Sequence, residues 1–167
     1  MTESEATPPQ ADAMPDDARV VRVVKRVPKF IPAGQGFPTS EAFAPSGPER
    51  KDAEDENHPV RVSVWDQSRT SNAQAVEFRR KDAFVKPGEP APTYAIYMIQ
   101  HDLIAHVRAI MPEPRLGLVR DIRDYNVGPG ADGHCGIEGL DTPKGVNKNF
   151  ARAVREELAR WCIEEPV

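Results

Sequence analysis

The sequence has only two cysteines, Cys135 and Cys162, in 167 residues, too few for a disulfide framework. Both are expected as thiols in a reducing, cytoplasmic setting. No apolar run approaches the eighteen residues of a membrane span, and the opening stretch "MTESEATPPQADAMPDDAR" has neither a basic start nor an apolar signal core. A strong charge of either sign is also missing: 26 acidic residues against 22 basic ones give a formal net charge of -4. Such a balance supplies no global attraction to nucleic acid or anionic lipid. The phosphate-loop, dinucleotide and nucleophile-elbow patterns of glycine do not occur, which excludes the commonest hardware for nucleotide binding and serine hydrolysis. "NVGPGADG" is rich in glycine, yet Pro129 removes one of the amides a phosphate cradle needs, so it reads as a turn.

What is abundant is proline, 17 residues, concentrated early. Residues 1–18 combine three prolines with Glu3, Glu5, Asp12, Asp16 and Asp17 and read as a disordered acidic tail. Residues 19–165 form the expected single domain, with a long Pro/Gly/charged loop over 33–59. "RVVRVVKRV" favours a strand through its valines, and "VRVSVW" alternates Val60, Val62 and Val64 against Arg61, Ser63 and Trp65, the period of a half-buried strand. Ser71 followed by Gln74 has capping-box spacing and starts a short helix.

Ile96, Ile99, Leu103, Val107 and Ile110 recur at threes and fours, predicting one helix across "TYAIYMIQHDLIAHVRAIMP". "RLGLVRDI" and "HCGIEGL" read as strands joined by a turn-rich segment. Thr142 and Pro143 open a final amphipathic helix whose apolar side is Val146, Phe150, Val154, Leu158 and Trp161. The sum is an α+β domain, a small, mostly antiparallel sheet covered by two to three helices including the C-terminal one.

"FIPAGQGFPTSEAF", "GLVRDI" and "GHCGIEGL" supply ordered landmarks: Pro38-Thr39-Ser40 with Phe43, Val119-Arg120-Asp121, His134 with Ile137 and Gly139, and a closing helix near Trp161. In this order the chain resembles a group of short bacterial proteins with no assigned activity, from about residue 25 onward. A longer acidic tail and an extra loop around Ala83 to Pro92 depart from that group. The resemblance implies one inherited module and brings no catalytic residue or cofactor.

Chemistry has few candidates. On a strand, His134, Gly136 and Glu138 point one way while Cys135 and Ile137 point the other, so the adjacent histidine and cysteine are not a dyad. His134, Glu138, Asp132 and Cys135 are the catalytic candidates, with His101, His106, His134 and Cys135 as a metal set lacking the usual ligand spacing. Arg19, Arg22, Lys25, Arg26 and Lys29 make a basic stripe without aromatic interleaving, which disfavours nucleic acid as partner. Phe43, in the polar "PTSEAF" segment, either anchors its loop or meets a partner, and Phe43, Arg22 and Lys25 are the interaction candidates. The expectation is a non-catalytic accessory or regulatory module working through protein contacts, with no cofactor. The alternative is a hydrolase or metal-assisted enzyme on the His134/Glu138 face, and third comes nucleic-acid binding through the basic strand.

Overall fold

The computed structural model describes residues 14–15, 18–81, 85–100, 102–111, 116–120, 131–141 and 148–167. Most of the acidic tail, His101, the glycine-rich turn at 121–130 and the Thr142-Pro143 cap lie outside the described residues. The chain is an α+β fold with one six-stranded antiparallel sheet. Its strands are β1 (Val20–Lys25), β2 (Arg61–Asp66), β3 (Tyr94–Ile99), β4 (Gly117–Arg120), β5 (His134–Glu138) and β6 (Ile163–Glu165), in the order β4-β5-β2-β1-β3-β6. The described helices are α1 (Gly47–Glu56), α2 (Asn72–Lys81), α3 (Leu103–Ile110) and α4 (Lys148–Trp161), with 3-10 turns at Ser40–Phe43 and Ala131–Gly133.

Helices cover both sheet faces, and the period-2 alternation of the strands divides their side chains between two cores. Val20, Val24, Val62, Val64, Ala95, Tyr97 and Ile99 pack with α3, α4 and the first 3-10 turn. Val21, Val23, Trp65, Tyr94, Ile96 and Met98 pack with Ala75, Val76 and Phe78 of α2. Trp65, placed on the polar side of its strand by the alternation, is thus buried in the second core.

The helix predicted across Tyr94 to Ile110 is instead a strand, β3, followed by the short helix α3. All six residues of β3 are buried, and a strand covered on both faces is a continuous apolar run without alternation. The 33–59 loop contains α1, whose N-terminus is closed by a capping box: the Glu49 amide donates to Ser46 Oγ, and the Ser46 amide donates to Glu49 Oε1 at 2.9 Å. The box at Ser71 and Gln74 forms as its spacing predicts, with both reciprocal bonds present.

In α4 the buried side is Ala151, Val154, Leu158 and Ala159, with Cys162 following, while Phe150 and Trp161 are 56% and 49% exposed. Val154 and Leu158 of the expected stripe are thus buried as predicted, Val146 lies outside the described residues, and the small Ala151 and Ala159 take the buried side in place of Phe150 and Trp161. The acidic tail also differs from its expectation at its inner end. Met14 is buried in the main core and its amide donates to Leu118 O at 2.9 Å along the outer edge of β4.

Candidate functional site

Pairing between β1 and β2 is short. Val20 faces Asp66 and Val21 faces Trp65, whereas β1 pairs with β3 along all six residues. Beyond Val21 the two strands are bridged by side chains. Ser63 donates its amide to Glu49 Oε2 at 2.6 Å and accepts from Arg22 Nη1 at 2.8 Å through its carbonyl. Arg22 Nε donates to Ala42 O at 3.0 Å, and Nη1 lies 3.4 Å from Glu49 Oε2. A buried strand must have its backbone groups paired, and here a carboxylate and a guanidinium take the place of a neighbouring strand. One carboxylate therefore caps α1 with one oxygen and fastens it to β2 with the other.

Burial alone pushes the Glu49 carboxyl up, but the Arg22 charge and the donors from Ser46 and Ser63 outweigh it, so its pKa is lowered. The Arg22 guanidinium is also lowered, by burial first and by the nearby Arg79, against the opposing pull of Glu49. The hydrogen bonds to Ala42 and Ser63 account for where Arg22 sits.

Beside this pair a small cleft is lined by Glu49, Asp52, His58, Arg61, Ser63, His134, Cys135 and Gly136. The free space is about 20 Å³, room for one water and not for a substrate. Arg61 donates from Nε to Glu138 Oε2 at 3.0 Å, across the register that sets these two residues opposite each other. Gly136 makes room for it, since a Cβ there would lie 2.7 Å from Arg61 Cβ. His58 places Nδ1 2.7 Å from Pro59 O and Nε2 3.1 Å from Glu56 Oε2.

The residues singled out from the sequence are dispersed. His134 is buried on the α2 side of the sheet in a three-ring cluster with Trp65 and Phe78, its centroid 5.2 and 5.0 Å from theirs, while Trp65 and Phe78 also meet edge to face at 5.8 Å. Glu138 shares its strand face, as alternation predicts, but its carboxylate is turned to Arg61. Cys135 belongs to the opposite, main core, and its thiol donates to Gly133 O at 3.2 Å. Asp132 is 80% exposed in the turn before β5, 3.8 Å from Arg69.

The proposed metal set does not assemble. His106 is exposed on α3, which packs on the main-core side, while His134 is on the other side. His101 lies outside the described residues. Among the described residues no three His, Cys, Asp or Glu side chains are grouped to hold a metal. Both cysteines are buried thiols outside any disulfide, and burial pushes the Cys162 thiol up to about 12.

Phe43 is fully buried in the main core and anchors its loop, so it is not a surface contact. Arg22 is committed internally, and of the three interaction candidates only Lys25 is exposed. The residues that line the cleft from α1 were not singled out in the sequence, although Ser46 and Glu49 carry the same capping-box spacing as Ser71 and Gln74.

No protein-family model matches this chain, and neither a curated protein nor a solved structure matches it significantly. The landmarks of the suggested bacterial group have structural roles instead. Phe43 anchors a loop, Val119 sits in β4, and His134 and Ile137 divide between the two sheet faces.

Proposed function

We propose that this protein is a non-catalytic accessory module that works through contacts with another protein. One observation supports this reading above the others: the reactive side-chain types of the central cleft are engaged by neighbours within the fold. Glu49 is held by Ser46, Ser63 and Arg22, the lining residue Arg61 is turned to Glu138 just outside the cleft, and His134 packs in a three-ring cluster with Trp65 and Phe78. A general base needs room for the atom it deprotonates within hydrogen-bond reach. The free space beside these groups is that of a single water. No helix of the described residues is long and apolar enough to cross a membrane.

The reading is tested by placing photo-reactive side chains at exposed positions of the full chain, identifying the cross-linked protein, and reconstituting the complex from purified components. A saturable complex of fixed stoichiometry, surviving physiological salt, is the expected result. Cross-links that scatter over unrelated proteins, with no complex on reconstitution, argue against it.

A further inference from the structure

The segment "FIPAGQGFPTS" folds as a closed loop with more fastening than a connection between β1 and α1 requires. At its neck Thr39 donates twice, from its amide to Phe30 O at 2.8 Å and from Oγ1 to Lys29 O at 2.7 Å. Within it the Gln35 amide donates to Pro32 O, and Gln35 Nε2 donates to Phe37 O at 2.9 Å. Gly34 takes the left-handed conformation, φ 77°, that turns the chain back. Phe30 and Ile31 pack against the main core, and Pro38 is buried. These three close the loop onto the domain. Phe37, between them and 44% exposed, is surplus to that closure.

The basic run leading into the loop is only partly neutralised. Within it, Arg22 is paired with Glu49 and Arg26 with Glu164. Lys25 and Lys29 are exposed and have no carboxylate partner among the described residues, Lys29 resting over the ring of Phe30 at 5.8 Å. Thr39 ties the carbonyl of Lys29 to the neck, two residues from Phe37. A pinned loop thus carries an exposed aromatic ring, with exposed Lys29 at its neck and Lys25 four residues earlier in the chain, and little conformational freedom remains to be lost on binding.

We infer that this loop is a docking site for an acidic protein segment, with Phe37 contacting an apolar side chain of the partner while Lys25 and Lys29 meet its carboxylates. The inference rests on the protein-contact reading above and names the surface and chemistry of that contact. Amide and side-chain NMR shifts of the full-length protein are followed during titration with a ten-residue peptide of alternating glutamate and leucine. The lysine-leucine counterpart and a ten-nucleotide single-stranded RNA serve as comparison ligands.

Saturable shifts confined to residues 25–39 are expected for the acidic peptide alone. Phe37→Ser and Lys29→Glu are each expected to weaken binding about tenfold or more, with the thermal midpoint close to that of the parent. The inference is overturned if the acidic peptide shifts nothing in this segment, or if both variants bind as the parent does. It is overturned equally if RNA shifts the same residues more strongly, or if dilution alone moves them, since these outcomes assign the loop to nucleic acid or to a second copy. Loss of peptide binding with a reconstituted protein complex intact refutes the loop assignment and leaves the protein-contact reading standing. Scattered cross-links without a complex refute that reading whatever the peptide does.

Discussion

Replacing Glu49 by alanine tests whether the Arg22-Glu49 pair substitutes for a missing stretch of sheet. The variant removes the acceptor of the Ser63 amide, the acceptor of the Ser46 amide at the start of α1, and the charge beside Arg22. An orphaned buried amide costs about 1–3 kcal/mol, while the Ser46 cap keeps its bond from the residue-49 amide and only the reciprocal half of the capping box is lost. Breaking a buried pair from one side costs about 3–5 kcal/mol when the other charge is stranded. Arg22 retains the carbonyls of Ala42 and Ser63, which places the expected total near the lower end, about 3 kcal/mol. For a chain of this length that is a fall in Tm of roughly 6–12 °C.

The assay is thermal and urea unfolding of the parent, Glu49→Ala, Arg22→Met and the double variant. The double variant is expected to cost less than the sum of the singles by at least about 1 kcal/mol, because the second substitution removes the group the first one strands. The pH dependence follows from the lowered pKa of Glu49. A depressed carboxyl contributes stability that is fully present above its unfolded value, ordinarily 4.5, and is lost as pH falls through the folded value. The parent should therefore lose stability below about pH 5 more steeply than Glu49→Gln. A fall in Tm of less than about 2 °C for Glu49→Ala, or strictly additive singles, would refute the reasoning.

Three further outcomes follow from the packing. The buried, upshifted thiol of Cys162 is expected to resist iodoacetamide at pH 8 in the native protein and to react once urea unfolds it. Rapid native labelling at this position contradicts the burial. Gly136→Ala pushes a Cβ into Arg61 and displaces it from Glu138, a predicted loss of about 1–3 kcal/mol, and an unchanged denaturation midpoint would count against that geometry. Ending the chain at Cys162 removes β6 and uncovers the edge of β3, an uncharged apolar strand. Size-exclusion chromatography should then show aggregates in place of the parent species, and an unaltered elution profile would show that β6 does not protect that edge.

Much of the scaffold was legible where a local signal and the tertiary environment agreed. The alternation of "VRVSVW", the capping box at Ser71 and Gln74, and the two strands Gly117–Arg120 and His134–Glu138 all appear. β3 reads as helix because burial on both faces erases the period of two, and Ile96 and Ile99 fall by coincidence in step with Leu103 and Val107, which do lie on the helix α3. α1 offered no apolar stripe, with Ala53 its one buried residue, so its charge suggested a loop. Its cap was nevertheless written in Ser46, Pro48 and Glu49. β6, three residues long, has no pattern to detect.

The two faces of "HCGIE" were readable from alternation, but the partners on each face were not. That His134 meets Trp65 and Phe78, and Glu138 meets Arg61, depends on β2 lying beside β5 and on α2 crossing that face. These are non-local facts that no spacing within the segment encodes. The bridge between Arg22 and Glu49, 27 residues apart, was hidden for the same reason.

Whether the cleft residues and Glu138, the partner of Arg61, hold the fold together and perform no reaction is tested most directly by turnover of ester, phosphoester and amide substrates at high protein concentration. The parent and Glu138→Gln are compared with and without added zinc. Rates equal to those of buffer are expected for both proteins under each condition. Saturable turnover by the parent that disappears in a folded Glu138→Gln variant would contradict that expectation and assign the His134/Glu138 face to catalysis.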